Sequence, residues 1–347
     1  MTKNNRQTIQ VAFTYVGAVI GAGFASGQEI LQFFTLNPGS YIGILICGLL
    51  FTILGYFKLK IALDFNLYTY HQFFNQLGGR KIANFANIVT FLFLFGSLIV
   101  MLSGSGEIFS SYFQLSKSLG ILLTFMIMAL AVKFGIEGVM KLNLFLIPLL
   151  MIVIFFIFFV NVELNFISTS NTLNISELPK LIFYSIIYAS YNLFLALPVL
   201  IAIPSRVQQE RLLRKGSILA GSIIITLALI VNFLLMQNLN LIKESQVPIL
   251  DALSHQQSAM YLVYSVILWL AMLTTGSSNL YGLIVELKEK LPLSLNKLLV
   301  LFALITFCLA RLPFADLVAI IYPSLGNIGL IIIIFLFLKY LKEKIIV

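Results

Sequence analysis

Val19-Ile20-Gly21-Ala22-Gly23-Phe24-Ala25-Ser26-Gly27-Gln28-Glu29 is the stretch on which the fold turns. It sits inside an apolar segment over 8–34, and a membrane helix needs about 20 such residues. Three glycines, a serine, a glutamine and a glutamate interrupt that segment. In hydrocarbon an unsatisfied backbone group is costly, so a loosened helix survives only against protein or a polar cavity. An ionisable group at that depth is also expensive and points to function. Ion-coupled carriers use a discontinuous helix of this kind to hold a solute at the midplane.

The whole chain agrees with a bilayer setting. Its 347 residues are 60% hydrophobic and 10% charged, and the mean hydropathy is +1.02. A soluble domain would carry about 25% charged residues. The composition predicts one integral-membrane domain over 1–347, with no room for a separate soluble unit. Cys47 and Cys308 both fall in apolar segments and imply no disulfide framework or metal cluster. The first apolar segment is too long for the core of a signal peptide.

With 8–34 as helix 1, further apolar runs at 41–63, 85–113, 119–134, 138–161, 179–203, 213–237, 258–286, 296–311 and 316–340 predict helices 2 to 10 of an all-α polytopic protein. If the N-terminus lies inside, the inner segments hold 18 of the 22 Lys and Arg, and only Lys117, Lys180, Lys243 and Arg311 fall outside. This asymmetry predicts both termini in the cytoplasm. The net charge of +9 is then topological, and it argues against a nucleic-acid partner. The loop 64–84 has room for a short interfacial helix, and the polar outer loop 162–178 has room for a lid.

An internal repeat orders the helices. Met101-Leu102-Ser103-Gly104-Ser105-Gly106 in helix 3 resembles Met272-Leu273-Thr274-Thr275-Gly276-Ser277 in helix 8, an offset of 171 residues. The same offset sets Gly21 opposite Asn192, in the patch Tyr188-Ala189-Ser190-Tyr191-Asn192 of helix 6. Helix 6 ends in Pro198 and Pro204 and is expected to be discontinuous like helix 1. Two copies of five helices, about 7–162 and 178–341, have opposite topology because five is odd. Inverted repeats of this kind place a binding site at their interface.

Ile20-Gly21-Ala22-Gly23-Phe24 resembles the glycine signature in the first helix of the amino acid–polyamine–organocation superfamily, whose members have the LeuT-type fold. The fuller run Gly17 to Glu29 resembles the YkvI-type bacterial membrane proteins within it. The resemblance implies a 5+5 inverted repeat, a multi-pass location in a bacterial cytoplasmic membrane, and alternating-access transport of an amino acid or related amine. It implies no enzyme activity and no cofactor beyond a bound Na+.

The residues themselves suggest three sets. Gly21, Ala22, Gly23, Phe24, Ser26 and Gly27 would offer free N–H groups to a substrate carboxylate, or else serve close helix packing. Ser190, Tyr191 and Asn192 of helix 6, with Ser103 of helix 3, complete the candidate substrate site, or else make ordinary interhelical hydrogen bonds. By the resemblance, Gly17 and Ile20 of helix 1 and Ala271, Thr274 and Thr275 of helix 8 would surround Na+. At 1.5 Å per residue Gly17 and Ile20 lie roughly 1–6 Å, and Thr274 and Thr275 about 4–5 Å, to the cytoplasmic side of their helix midpoints. Carbonyl and hydroxyl oxygens suit a hard cation, although such hydroxyls also bond to their own helix.

Glu29 and Glu107 fall at similar depth in the outer half. They would line a vestibule, attract a cationic group or share a proton, and Arg311 is a possible ion partner. No nucleophile–base pair, phosphate loop or metal-ligand cluster is evident in the sequence. The expected function is a cation-coupled carrier of a small solute, with Na+ favoured. A proton-coupled carrier using Glu29 or Glu107, and a non-transporting membrane sensor or assembly protein of the same fold, are the alternatives.

Overall fold

The computed structural model describes residues 3–111, 113–161, 175–242, 248–249, 258–312, 314 and 317. Helix is the regular structure found among the described residues. Helix 1 runs Lys3–Val19 and resumes as two short pieces, Ala22–Ala25 and Gln28–Ile30. The second piece continues as a π-helical turn over Leu31–Thr35. Then follow helix 2 (Ser40–Asp64), helix 3 (Arg80–Ser111), helix 4 (Lys117–Lys133) and helix 5 (Gly135–Asn161). Helix 6 is Leu178–Ala202, helix 7 Glu210–Gln237, helix 8 Ser258–Lys290 and helix 9 Leu295–Leu309. Among the described residues, 6 helices are long and apolar enough to cross a membrane, so this is a multi-pass membrane protein. Of the span expected at 316–340, which Asp316 starts, only Leu317 is among the described residues, and 162–174 of the loop before helix 6 lie outside them.

The loop 64–84 holds the interfacial helix that its length allows, Tyr70–Gly78. Thr69 starts it with a capping box: its hydroxyl accepts from the Gln72 N–H, and the Gln72 carboxamide accepts from the Thr69 N–H. That reciprocal pair satisfies two donors a helix start leaves open. Tyr70, Phe73, Phe74 and Leu77 are buried, the one-sided spacing of a helix lying on a surface.

Helices 1, 2, 6 and 7 pack on one another, helices 3, 4, 8 and 9 form a second group, and helix 5 lies against helices 1 and 8. Each group takes equivalent members from the two halves, which is consistent with the inverted repeat. Lipid tails are as apolar as leucine, so such groups are held by close packing and interhelical hydrogen bonds. In the first group the Tyr15 hydroxyl donates to the Phe51 carbonyl at 2.7 Å and the Ser217 hydroxyl to the Thr52 carbonyl at 2.9 Å. In the second, Asn279 Nδ2 donates to Ser97 Oγ at 2.9 Å and Trp269 Nε1 to Thr124 Oγ1 at 2.8 Å. The two repeat motifs touch, with Ser105 Oγ 3.5 Å from Met272 Sδ. Helix 8 is 94% buried over its most apolar span and helix 5 only 33%. Helix 8 is therefore central, and helix 5 turns Phe145, Ile152, Phe156 and Phe159 outward, as lipid contact requires.

One expectation is corrected. Helix 6 is not discontinuous: Leu178–Ala202 is helical throughout, across Ser190, Tyr191, Asn192 and Pro198. Asn192 Nδ2 donates to the Tyr188 carbonyl at 3.1 Å, so part of the polar patch is satisfied on its own helix. Pro198 removes one N–H from the ladder and does not end the helix.

Candidate functional site

The glycine run breaks helix 1 twice. Gly21 is extended, with φ −102° and ψ −166°, and forms the start of Ala22–Ala25. Gly27 adopts φ 81°, the left-handed region that favours glycine, and turns the chain into Gln28–Ile30. Ser26 serves this turn: its hydroxyl donates to the Gly23 carbonyl at 3.1 Å and accepts from the Gln28 N–H at 3.3 Å. The turn is covered from outside by Ile249, whose N–H donates to the Ser26 carbonyl at 3.2 Å. Tyr264 of helix 8 donates to the Ala25 carbonyl at 2.6 Å.

A helix end leaves its last carbonyls without intrahelical donors. At the first break, the Thr275 hydroxyl lies 3.1 Å from the Gly17 carbonyl oxygen and 3.0 Å from that of Ile20. The approach is close, since a Cβ at Gly21 would come within 3.3 Å of Thr275 Oγ1. The structure thus brings Gly17, Ile20 and Thr275 together. Thr274 turns to its own helix and donates to the Ala271 carbonyl at 2.9 Å. These oxygens come from carbonyls and hydroxyls alone, a donor set for a hard cation. Among the described residues no group of three or more His, Cys, Asp or Glu is placed to hold a metal ion.

Asn143 of helix 5 is a neighbour that sequence reasoning missed. It is fully buried, its carboxamide oxygen and nitrogen have no hydrogen-bond partner among the described residues, and a Cβ at Gly17 would overlap it. The available signal was a carboxamide within a helix otherwise suited to lipid.

On the other side of the break, Glu29 folds back over Gly23, where a Cβ would overlap its carboxyl. Tyr188, Tyr191 and Asn192 of helix 6 face that carboxyl. Beside it, Gln28 Oε1 is buried without a hydrogen-bond partner among the described residues. Ala22 and Phe24 of helix 1 and Ser190 of helix 6 are buried.

Two residues expected nearby are engaged elsewhere. Ser103 donates to the Leu312 carbonyl at 2.8 Å, so its hydroxyl serves the link after helix 9. Glu107 pairs with Lys117 at the start of helix 4, which removes it as a proton-sharing partner of Glu29. Arg311 does not pair with it either; its guanidinium lies 4.6 Å from the Phe307 ring centre and 3.4 Å from the Ser118 hydroxyl.

The intermixed helices described here, packed around a broken helix 1, have counterparts among solved structures. MhsT in complex with L-phenylalanine matches with a TM-score of 0.66 at 15% identity, covering 92% of this chain and 85% of that one. A Na+-coupled sialic acid symporter in a substrate-bound outward-open state matches at 0.61 with 13% identity, covering 93% and 75%. Mhp1, a nucleobase-cation-symport-1 family transporter, matches at 0.58 with 14% identity, covering 93% and 77%. The chain has the LeuT-type fold. LeuT-type neighbours such as these are transporters, not enzymes. By sequence the chain is similar to the uncharacterized membrane protein YkvI of Bacillus subtilis (strain 168), at 28% identity over 335 residues, 95% of each chain. It is also similar to YyaD of the same organism, at 25% identity over 337 residues, 95% of this chain and 96% of that one. No family model matches the chain.

Proposed function

We propose that this protein is a cation-coupled secondary transporter of a small solute, an amino acid or related amine, that works by alternating access. Na+ is the coupling ion in this reading, bound by the carbonyls of Gly17 and Ile20 with Ala271, Thr274 and Thr275. The solute binds across the break, between Gly21 to Gly27 and helix 6. Both termini lie in the cytoplasm, in keeping with the distribution of Lys and Arg. The observation that carries the reading is the Thr275 hydroxyl set on two carbonyls of the interrupted helix, 3.1 and 3.0 Å away. A helix that needed only to span lipid would keep those carbonyls in its own ladder.

The testing experiment is a thermal-shift screen of the purified protein against amino acids and amines, in NaCl and in KCl. A ligand that binds only the folded state raises the melting temperature. NaCl is expected to raise it above KCl at equal ionic strength, and the bound solute is expected to raise it further only with Na+. Equal melting in the two salts, with solute shifts indifferent to Na+, would remove Na+ from the reading. Glu29, a carboxyl without an ion-pair partner among the described residues, supports proton coupling as the second reading.

A further inference from the structure

We propose that the interfacial helix Tyr70–Gly78 is a strap across the inner ends of the two helix groups. It stays with helices 3 and 8 and alternately grips and releases helices 2 and 6. Its role in closing the inner side rests on the transporter reading above; its motion does not.

The two joints of this helix differ. Gly79 alone separates it from helix 3, which starts at Arg80. Gly79 adopts φ 76°, in the left-handed region that glycine enters freely. Its N–H donates to the Asn75 carbonyl at 2.9 Å, and its carbonyl accepts from the Ala83 N–H at 3.0 Å. The joint is thus stitched into both helices, and the strap follows helix 3. Toward helix 2, which ends at Asp64, the link is residues 65–69. Asn66 there has φ 50°, and Phe65, Asn66 and Tyr68 are exposed. Extended chain spans about 3.3 Å per residue, so this link can lengthen when helix 2 moves.

The two sides of the strap are also held differently. Its buried face packs along helix 3. On helix 8, Glu289 Oε1 accepts from Gln72 Nε2 at 3.1 Å. The oxygen of the same carboxamide closes the capping box, so this bond ties the first turn of the strap to helix 8. Tyr70 is buried near Glu286, and burial, with the Glu286 charge, pushes its phenol well above the ordinary range. On helices 2 and 6 the contacts are rings. Phe74 stacks on Phe194 of helix 6 at 6.1 Å, and the Phe73 ring lies 5.9 Å from Lys58 Nζ of helix 2. Among the described residues no side chain of the strap hydrogen-bonds to helices 2 or 6. A hydrogen bond is directional and apolar contact is not, so the ring side can part while the polar side holds.

Lys58 sets the balance between the two states. It is 8% exposed and pairs with no carboxylate among the described residues. An ammonium withdrawn from water without a counter-charge is unfavourable, and lifting Phe73 off it lets water back. That gain opposes the loss of the ring contacts. Closed and open forms then lie close in free energy, as a two-state element requires.

The test measures nitroxide spin-label distances in the full-length purified protein. Cys308, which is exposed, is first changed by Cys308→Ser, while Cys47 is buried. One label pair, Gln76→Cys with Lys215→Cys, joins the strap to helix 7 of the group that holds helices 2 and 6. The other, Gln76→Cys with Lys288→Cys, joins it to helix 8; all three positions are exposed. The strap-to-helix 7 distances are expected to fall into two populations and the strap-to-helix 8 distances into one. Lys58→Met is expected to raise the closed-to-open ratio by roughly fivefold or more, and Phe74→Leu to lower it by roughly threefold. If either variant does not fold, the two label pairs on the otherwise natural sequence still decide. One population for both pairs, or two populations between strap and helix 8, would overturn the strap. A closed-to-open ratio indifferent to both Lys58→Met and Phe74→Leu would overturn it as well. Exchange of KCl for NaCl separates the strap from the transporter reading. A ratio that shifts with Na+ supports both, and two populations indifferent to Na+ uphold the strap and count against Na+ coupling.

Discussion

Thr275→Ala is expected to raise the Na+ concentration for half-maximal uptake by roughly tenfold to a hundredfold, with the protein still folded and inserted. The substitution removes one hydroxyl oxygen from between the Gly17 and Ile20 carbonyls. A hydrogen bond or ligand contact to a charged group contributes about 1.5–3 kcal/mol, and each 1.4 kcal/mol is about tenfold in affinity. The Cγ2 methyl that faces Gly21 is lost as well, so the cost to folding is about 1 kcal/mol for the hydrogen bond and about 0.8 kcal/mol for the buried methyl. The measurement is initial uptake rate against Na+ at fixed pH in proteoliposomes, with melting temperature as the folding control. An unchanged Na+ dependence would mean that Thr275 only ties down an interrupted helix.

Gly17→Ala is expected to abolish Na+-driven uptake and to lower the melting temperature. A Cβ at this position would overlap the Asn143 carboxamide, which is fully buried on helix 5 and cannot swing into solvent. Overpacking a tight contact costs about 1–3 kcal/mol, and the resulting shift moves the Gly17 carbonyl away from Thr275. Asn143→Ala opens the space again. The double variant is therefore expected to melt above Gly17→Ala alone, the non-additivity that marks two groups in contact. Strict additivity of the two substitutions would contradict the close approach of helices 1 and 5.

Much of the architecture was legible because bilayer physics writes it into length and glycine. Helices 2 to 9 lie within a few residues of their apolar runs, and the break falls at Gly21, where glycine suspends the helix. The Met101 and Met272 motifs, related only by an offset in sequence, touch in space. Polar side chains inside helices were harder to read. Whether a hydroxyl or carboxamide bonds to its own turn, to a neighbour or to nothing depends on helix rotation, which packing sets. Asn192 takes its own turn and helix 6 stays intact. Ser103 reaches Leu312, 209 residues away in sequence. Asn143 meets Gly17 across two helices. Glu107 was read by its depth, but its partner is local: Lys117, at the first turn of the next helix.

The most direct measurement is solute accumulation in proteoliposomes carrying the full-length protein, with an inward Na+ gradient imposed and pH and membrane potential clamped. A small amine or amino acid is expected to accumulate above its external concentration, and to stop doing so when Na+ is equal on both sides. If no amino acid or amine moves under an imposed Na+ gradient or an imposed proton gradient, the account of a cation-coupled carrier is contradicted.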